Sequence, residues 1–248
     1  LGTMVIIPAL LPNQKRVEEL LQNMEVHYLA NKERNLYFAL LGDFKDSDSK
    51  HMPGDDEIVE KALEGVRSLN KKYASEGRDI FYYFHRYRQF NEAQNKWMGW
   101  ERKRGAIMEF NDLLRGNTRT SYNVMSCDIS YIPYIKYIIT LDADTSIPIG
   151  NAKKLIGTLA HPMNKPVYDV KKNRVVEGYG LLQPRIGIDI VSANKTLFSR
   201  IFAGQGGIDP YTTAVSDVYQ DLFDEGIFTG KGIYDLDIFQ SVLKNTIP

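Results

Sequence analysis

Apolar runs of strand length alternate along this chain with stretches whose apolar residues recur at helical spacing, and no other feature restricts the fold as much. The runs are Thr3–Ile7, Leu36–Leu41, Ile80–His85, Tyr134–Leu141 and Val176–Gln183. Most are continuously apolar rather than alternating, the pattern of strands covered on both faces. Between them Val17, Leu20, Leu21, Met24 and Tyr28 share one helical face, as do Ile58, Val59, Ala62, Leu63, Val66 and Leu69. Two further stripes follow, Ile107, Phe110, Leu113 and Leu114, then Ala152, Leu155, Ile156 and Leu159. The expected fold is α/β, a mostly parallel central sheet with helices on both faces.

Tyr168 to Val176 is a polar turn between β-branched flanks and predicts a hairpin added to that sheet. Gly42–Asp56 and Arg115–Pro133 lack periodicity and read as loops. No repeat, low-complexity tract or linker interrupts residues 1–248, so one domain is expected.

Composition then narrows the function. With 31 Lys+Arg against 31 Asp+Glu, the chain lacks the excess positive charge that nucleic-acid binders use on phosphate backbones, and nucleic acid is not an expected partner. The single cysteine, Cys127, has no partner for an internal disulfide, and no Cys/His spacing fits zinc. No apolar run reaches 18 residues, and Leu1 to Pro8 lacks a charged leader, so neither a membrane span nor a signal peptide is expected. Both termini read as cuts from a longer polypeptide.

The run Tyr137-Ile138-Ile139-Thr140-Leu141 ends in Asp142-Ala143-Asp144. Carboxylates at the carboxyl end of a strand lie where open α/β sheets bind ligands. On an extended chain both would point the same way and share a hard cation, Mg2+ or Mn2+, bridging a diphosphate. The alternative is that one of them caps the helix after Pro148. Lys103-Arg104-Gly105 opens a helical stretch, and cations beside a helix N-terminus suit a phosphate. Asp43, closing its strand, is placed either to accept from a base or ribose or to form a turn. Trp97 and Trp100 are placed for stacking or for the core; His85 reads as a satisfied strand-end histidine; His27, His51 and His161 lack ligand spacing; and Gly204 to Gly207 reads as a loop.

Taken in order, Pro8, Asp43, the Lys103–Asn111 helix and Asp142-Ala143-Asp144 resemble inverting nucleotide-sugar glycosyltransferases of the glycosyltransferase-A fold. His51 to Asp55, Trp97 to Gly105, Thr140 to Thr145, Leu182 to Arg185 and especially Ala214 to Phe223 and Thr229 to Asp235 resemble the glycosyltransferase domain of cyclic β-1,2-glucan synthases. That resemblance covers essentially the whole chain. It implies glucose transfer from UDP-glucose to a growing β-1,2-glucan, a nucleotide-binding half of about 1–145 and an acceptor-side half of about 146–248. It implies nucleotide-sugar contacts at Pro8, Asp43, Lys103, Arg104 and Asp142, metal at Asp142 and Asp144, and donor-sugar or acceptor contacts at Gln183, Arg185, Thr229, Gly230 and Lys231. It further implies a larger membrane-bound synthase whose transferase domain faces the cytoplasm at the bacterial inner membrane.

Such transferases need a general base for the acceptor hydroxyl. In the resembled family the acidic motif follows the Thr229 to Gly232 block and a short helix, so the base is expected beyond Pro248, with Asp221, Glu225, Asp235 and Asp237 as weaker candidates. Two other functions fit less of the sequence: a non-catalytic module binding UDP-sugar or glucan, and a sugar nucleotidyltransferase, whose Gly-rich basic loop is replaced after the first strand by Pro8-Ala9-Leu10-Leu11-Pro12.

Overall fold

The computed structural model describes residues 1–74, 77–184, 222, 228 and 230–243. The chain divides into two compact units, Leu1–Leu182 with Gly232–Pro248, and Gln183–Lys231. All elements named below belong to the first.

In chain order they are β1 (Thr3–Leu11), α1 (Gln14–Ala30), β2 (Leu36–Phe44), α2 (Asp55–Tyr73), β3 (Phe81–Arg86), β4 (Gln89–Asn91), β5 (Lys96–Met98), α3 (Arg102–Leu114), β6 (Tyr122–Met125) and β7 (Tyr137–Thr140). There follow α4 (Asn151–Leu159), β8 (Val167–Asp169), β9 (Arg174–Glu177), β10 (Leu181–Leu182), β11 (Gly232–Asp235) and α5 (Leu236–Leu243). Local chemistry starts the helices: Asn13 caps α1 by accepting from Arg16 N at 2.9 Å, and α2 begins with Asp55, Asp56 and Glu57 and ends with Lys71 and Lys72, matching its dipole.

The main sheet has the order β10-β11-β7-β1-β2-β3-β6. Its centre, β7-β1-β2-β3, is parallel, while β11 and β6 add antiparallel strands on either side. Strand alternation splits the apolar residues between two layers. Val5, Ile7, Phe38, Leu40, Phe81, Tyr83 and Ile139 face the stripes of α1, α2 and α4. Met4, Ile6, Tyr37, Ala39, Tyr82, Phe84 and Ile138 face Phe110 and Leu113 of α3 and Leu236 of α5. The expected α/β architecture is present, with a mixed sheet.

Several boundaries differ from expectation. β1 continues past Pro8 because β7 ends opposite Ile6: Leu141 N donates to Ile6 O at 3.1 Å, so Pro8, two residues on, presents its N-H-less nitrogen where, among the described residues, no strand pairs with it. Arg115–Pro133 contains β6, a four-residue edge strand too short to show a period. The expected hairpin forms as β8 and β9, but as a separate two-stranded sheet rather than an extension of the main one. The Val176–Gln183 run splits into β9 and β10.

Candidate functional site

The carboxyl ends of β1, β2, β3 and β7 lie side by side. Pro8 is buried on β1, its carbonyl turned to the side that β7 has vacated. Leu10 is opposite Asp43 on β2, and Asp43 is opposite Arg86 on β3.

Asp43 is held by a residue to which no sequence motif points. Arg86, 1% exposed, donates from Nε to Asp43 Oδ1 at 2.8 Å and from Nη2 to Oδ2 at 2.5 Å. Its Nη1 also donates to the Trp100 carbonyl at 2.9 Å and to Glu109 Oε2 at 3.0 Å, and Nη2 to the Arg102 carbonyl at 2.9 Å. Every guanidinium N–H is thereby used. Burial raises the Asp43 carboxyl above its ordinary value against the opposing effect of Arg86. Burial also pulls the Arg86 guanidinium down, but the carboxylates of Asp43 and Glu109 outweigh it and the net direction is up. Glu109 extends the network by accepting from Ser121 N at 2.9 Å and Ser121 Oγ at 2.5 Å, tying α3 to the entry of β6. The chain passes closely over this pair: a Cβ on Gly99 would lie 2.7 Å from Asp43 Oδ2 and 2.9 Å from Arg86 Nη2.

Lys103 and Arg104 occupy the first turn of α3, as the sequence predicts. The Lys103 ammonium donates to Asp142 Oδ1, and Arg104 pairs with Glu101 at 2.8 Å. Asp142 and Asp144 are not on an extended chain. β7 ends at Thr140, and Thr145 N donates to the Asp142 carbonyl at 3.0 Å, closing a turn around Ala143 and Asp144. That turn, not pleat alternation, sets the two carboxylates. Neither caps α4, whose N-cap is Gly150 without a side-chain bond.

A second buried arginine builds another wall. Arg88, 4% exposed, grips Asp55 through Nη1 at 2.5 Å and Nη2 at 3.0 Å. It also donates to the carbonyls of Lys45 at 2.8 Å and Lys50 at 3.1 Å, fixing the segment between β2 and α2. Ser47 exchanges backbone bonds with Trp97 on β5, and Arg102 reaches Asp46 at 2.8 Å, so the same segment is fastened to the approach to α3. The signal for Arg86 and Arg88 in the sequence is slight: one cation at the end of an aromatic strand and another two residues on.

Other expected residues distribute as follows. Gln183, Gly230 and Lys231 belong to the second compact unit. Arg185, Thr229, Asp221, Glu225 and Gly204 to Gly207 lie outside the described residues. Asp235 is opposite Tyr137, at the amino end of β7, where it accepts from the amides of Asp237 and Ile238 at the start of α5; Asp237 accepts from Arg115 Nε and Tyr134 Oη at 2.7 Å each. Both are thus at the opposite end of the sheet from Asp142. Trp97 meets Phe90 at a tilt, 5.5 Å between ring centres, whereas Trp100 remains part-exposed beside α3. His85 departs from expectation: Tyr83 Oη and its Nδ1 lie 2.6 Å apart, but its buried Nε2 has no hydrogen-bond partner among the described residues.

Among the described residues no group of three or more His, Cys, Asp or Glu side chains is arranged to hold a metal ion, and no helix is long and apolar enough to cross a membrane. The Asp142 and Asp144 turn offers hard oxygen donors of the type Mg2+ or Mn2+ takes, and Asp142 already receives a cationic group, the Lys103 ammonium. Charge and donor type fit such an ion, provided a ligand and water complete its shell.

No family model matches the chain. It is 45% identical over 247 residues to cyclic beta-(1,2)-glucan synthase NdvB of Rhizobium meliloti (strain 1021), a match covering 99% of this chain and 9% of that protein. The chain is therefore related, across nearly its whole length, to one segment of a cyclic beta-(1,2)-glucan synthase, and it spans less than a tenth of that curated relative.

Proposed function

We propose that this chain is a glucosyltransferase domain of the glycosyltransferase-A fold, acting with inversion on UDP-glucose to extend a β-1,2-glucan within a larger synthase at the cytoplasmic face of a membrane. The observation that carries the proposal is the meeting of Lys103, from α3, with Asp142, from the end of β7, on the edge of the sheet that also presents Pro8 and Asp43. Open α/β sheets bind nucleotides at that edge. The relative's name supplies the polymer, and the cation and carboxylates supply groups that suit a diphosphate.

In this reading Pro8 and Asp43 border the base, Lys103 and Arg104 receive the diphosphate, and Asp142 and Asp144 would hold Mg2+ or Mn2+. When bound, such an ion supplies Lewis-acid stabilisation of the charge on the departing diphosphate. Gln183, Arg185, Thr229, Gly230 and Lys231 are assigned to the donor sugar or acceptor. Asp235 and Asp237 are not assigned as the general base, since both sit at the amino end of β7.

The test is thermal unfolding with UDP and Mn2+. The melting temperature rises for the wild-type chain and not for Asp144→Ala; a flat wild-type response would defeat the proposal. The position of Asp235 and Asp237 favours a second reading, a module that binds UDP-sugar or glucan without transferring glucose. Transfer of radiolabelled glucose by this chain would exclude it.

A further inference from the structure

Two consecutive residues with a Cβ, Glu101 and Arg102, hold φ of 51° and 48° at the entry to α3. This left-handed region is unfavourable for an L-residue, and runs of it are rarer than single cases. Glu101, at the N-cap, makes no side-chain capping bond. The turn is closed by Arg102 N donating to Gly99 O and Gly105 N donating to Glu101 O, both at 3.1 Å. Lys103 follows at once.

The two carbonyls bracketing the strained pair, those of Trp100 and Arg102, both accept from Arg86. The same guanidinium is anchored below by Asp43 and beside by Glu109. The Trp100 carbonyl is also pressed against the helix, for a Cβ on Gly105 would lie 2.0 Å from it. A rigid, fully bonded fork thus grips an unfavourable backbone on both sides, one residue before the cation that meets Asp142.

We infer that Arg86 is a positioning residue for nucleotide binding: it holds the left-handed Glu101 and Arg102 turn, and through it aims Lys103 at the diphosphate position beside Asp142. The nucleotide part of this assignment rests on the donor-site reading above; the backbone part does not. Lysine at 86 keeps the charge beside Asp43 but lacks the fork.

The experiment compares the 248-residue chain with Arg86→Lys, Glu101→Gly and the double variant, by hydrogen exchange at the Arg102 and Gly105 amides and by UDP titration with Mn2+. Arg86→Lys speeds exchange at both amides and weakens UDP by about tenfold or more, the scale of one charge-assisted hydrogen bond. Glu101→Gly, for which positive φ is free, restores part of the UDP affinity in the Arg86→Lys background. A purely structural role for Arg86 gives no such rescue.

If Arg86→Lys does not fold, Gly105→Ala decides: it disturbs the Trp100 carbonyl without touching the ion pair, yet alanine favours the helix. UDP affinity should fall in this variant. Unchanged exchange and UDP affinity in Arg86→Lys, absence of rescue by Glu101→Gly, or unaltered UDP affinity in Gly105→Ala would each overturn the inference. If the wild-type chain binds no UDP, the donor-site reading fails, while the exchange result still judges the role of Arg86.

Discussion

The ammonium of Lys103, in the first turn of α3, rests on the carboxylate of Asp142, 39 residues later and just beyond β7. Both side chains are about one-third exposed, at 36% and 30%, so the contact joins two elements without being sealed in the core. Solvent screening keeps such a pair to about 1 kcal/mol or less of stability. Lys103→Ala is therefore expected to leave urea unfolding within about 1 kcal/mol of wild type, while weakening UDP by roughly tenfold through loss of a charged donor. Calorimetric titration beside a urea curve separates the two effects, and a large stability loss with unchanged UDP affinity would contradict this account.

The Arg88 and Asp55 pair should behave in the opposite way. Both residues are buried, and removing the carboxylate strands a guanidinium that also organises the Lys45 and Lys50 carbonyls. Asp55→Ala is expected to cost about 3–5 kcal/mol in urea unfolding. A loss under 1 kcal/mol, the scale of an exposed pair, would mean that the pair does not organise this segment.

Two glycines offer a paired contrast. Gly99→Ala drives a Cβ to 2.7 Å from Asp43 Oδ2, and the expected cost is about 1–3 kcal/mol with weaker UDP binding. Gly157, in the second half of α4, has no described atom within 4 Å of an added Cβ, so Gly157→Ala should stabilise by about 0.5–1 kcal/mol. Chemical denaturation of the two variants tests both signs.

Acid sensitivity should begin with histidine. Burial pushes His85 down to about 3 from 6.5, and burial also lowers His27. Because the folded pKa is depressed, the unfolded chain takes up protons that the native chain refuses. Stability is thus complete above about pH 6.5 and falls as pH drops toward about 3. For His85 the slope approaches ~1.4 kcal/mol per pH unit within that window, and His27 adds in the same direction. Asp55, held below its ordinary value by Arg88 despite its burial, adds a loss only below about pH 4. His85→Gln should shrink the stability difference between pH 7.5 and 5.5 measured by urea unfolding, and an unchanged difference would show that His85 does not carry it.

Much of this fold is legible in the chain because period and burial coincide. Phe81 to Phe84 are apolar at every position and become a strand flanked on both sides by other strands and covered on both faces. Val17, Leu20, Leu21 and Met24 share a helical face and form part of one core layer. β1 runs beyond the expected Thr3–Ile7 to Leu11, since tolerance of Pro8 within it depends on where β7 stops, a fact about another segment. Tyr122 to Met125 form a strand that its sequence does not announce, because four residues paired on one side only are too few to show a period. Asp142 and Asp144 were legible as a pair of carboxylates at a strand end, but their disposition comes from the turn closed by Thr145.

The sequence by itself determined the α/β alternation, the helix stripes and the carboxylates and cations of the candidate site, because these depend on residue type and local spacing. Tertiary structure decided which charges are buried. Arg86 meets Asp43 across 43 residues and Arg88 meets Asp55 across 33, and neither arginine differs locally from a surface one. Burying a guanidinium is favourable only where partners from several elements converge on it, and only the folded chain brings them together.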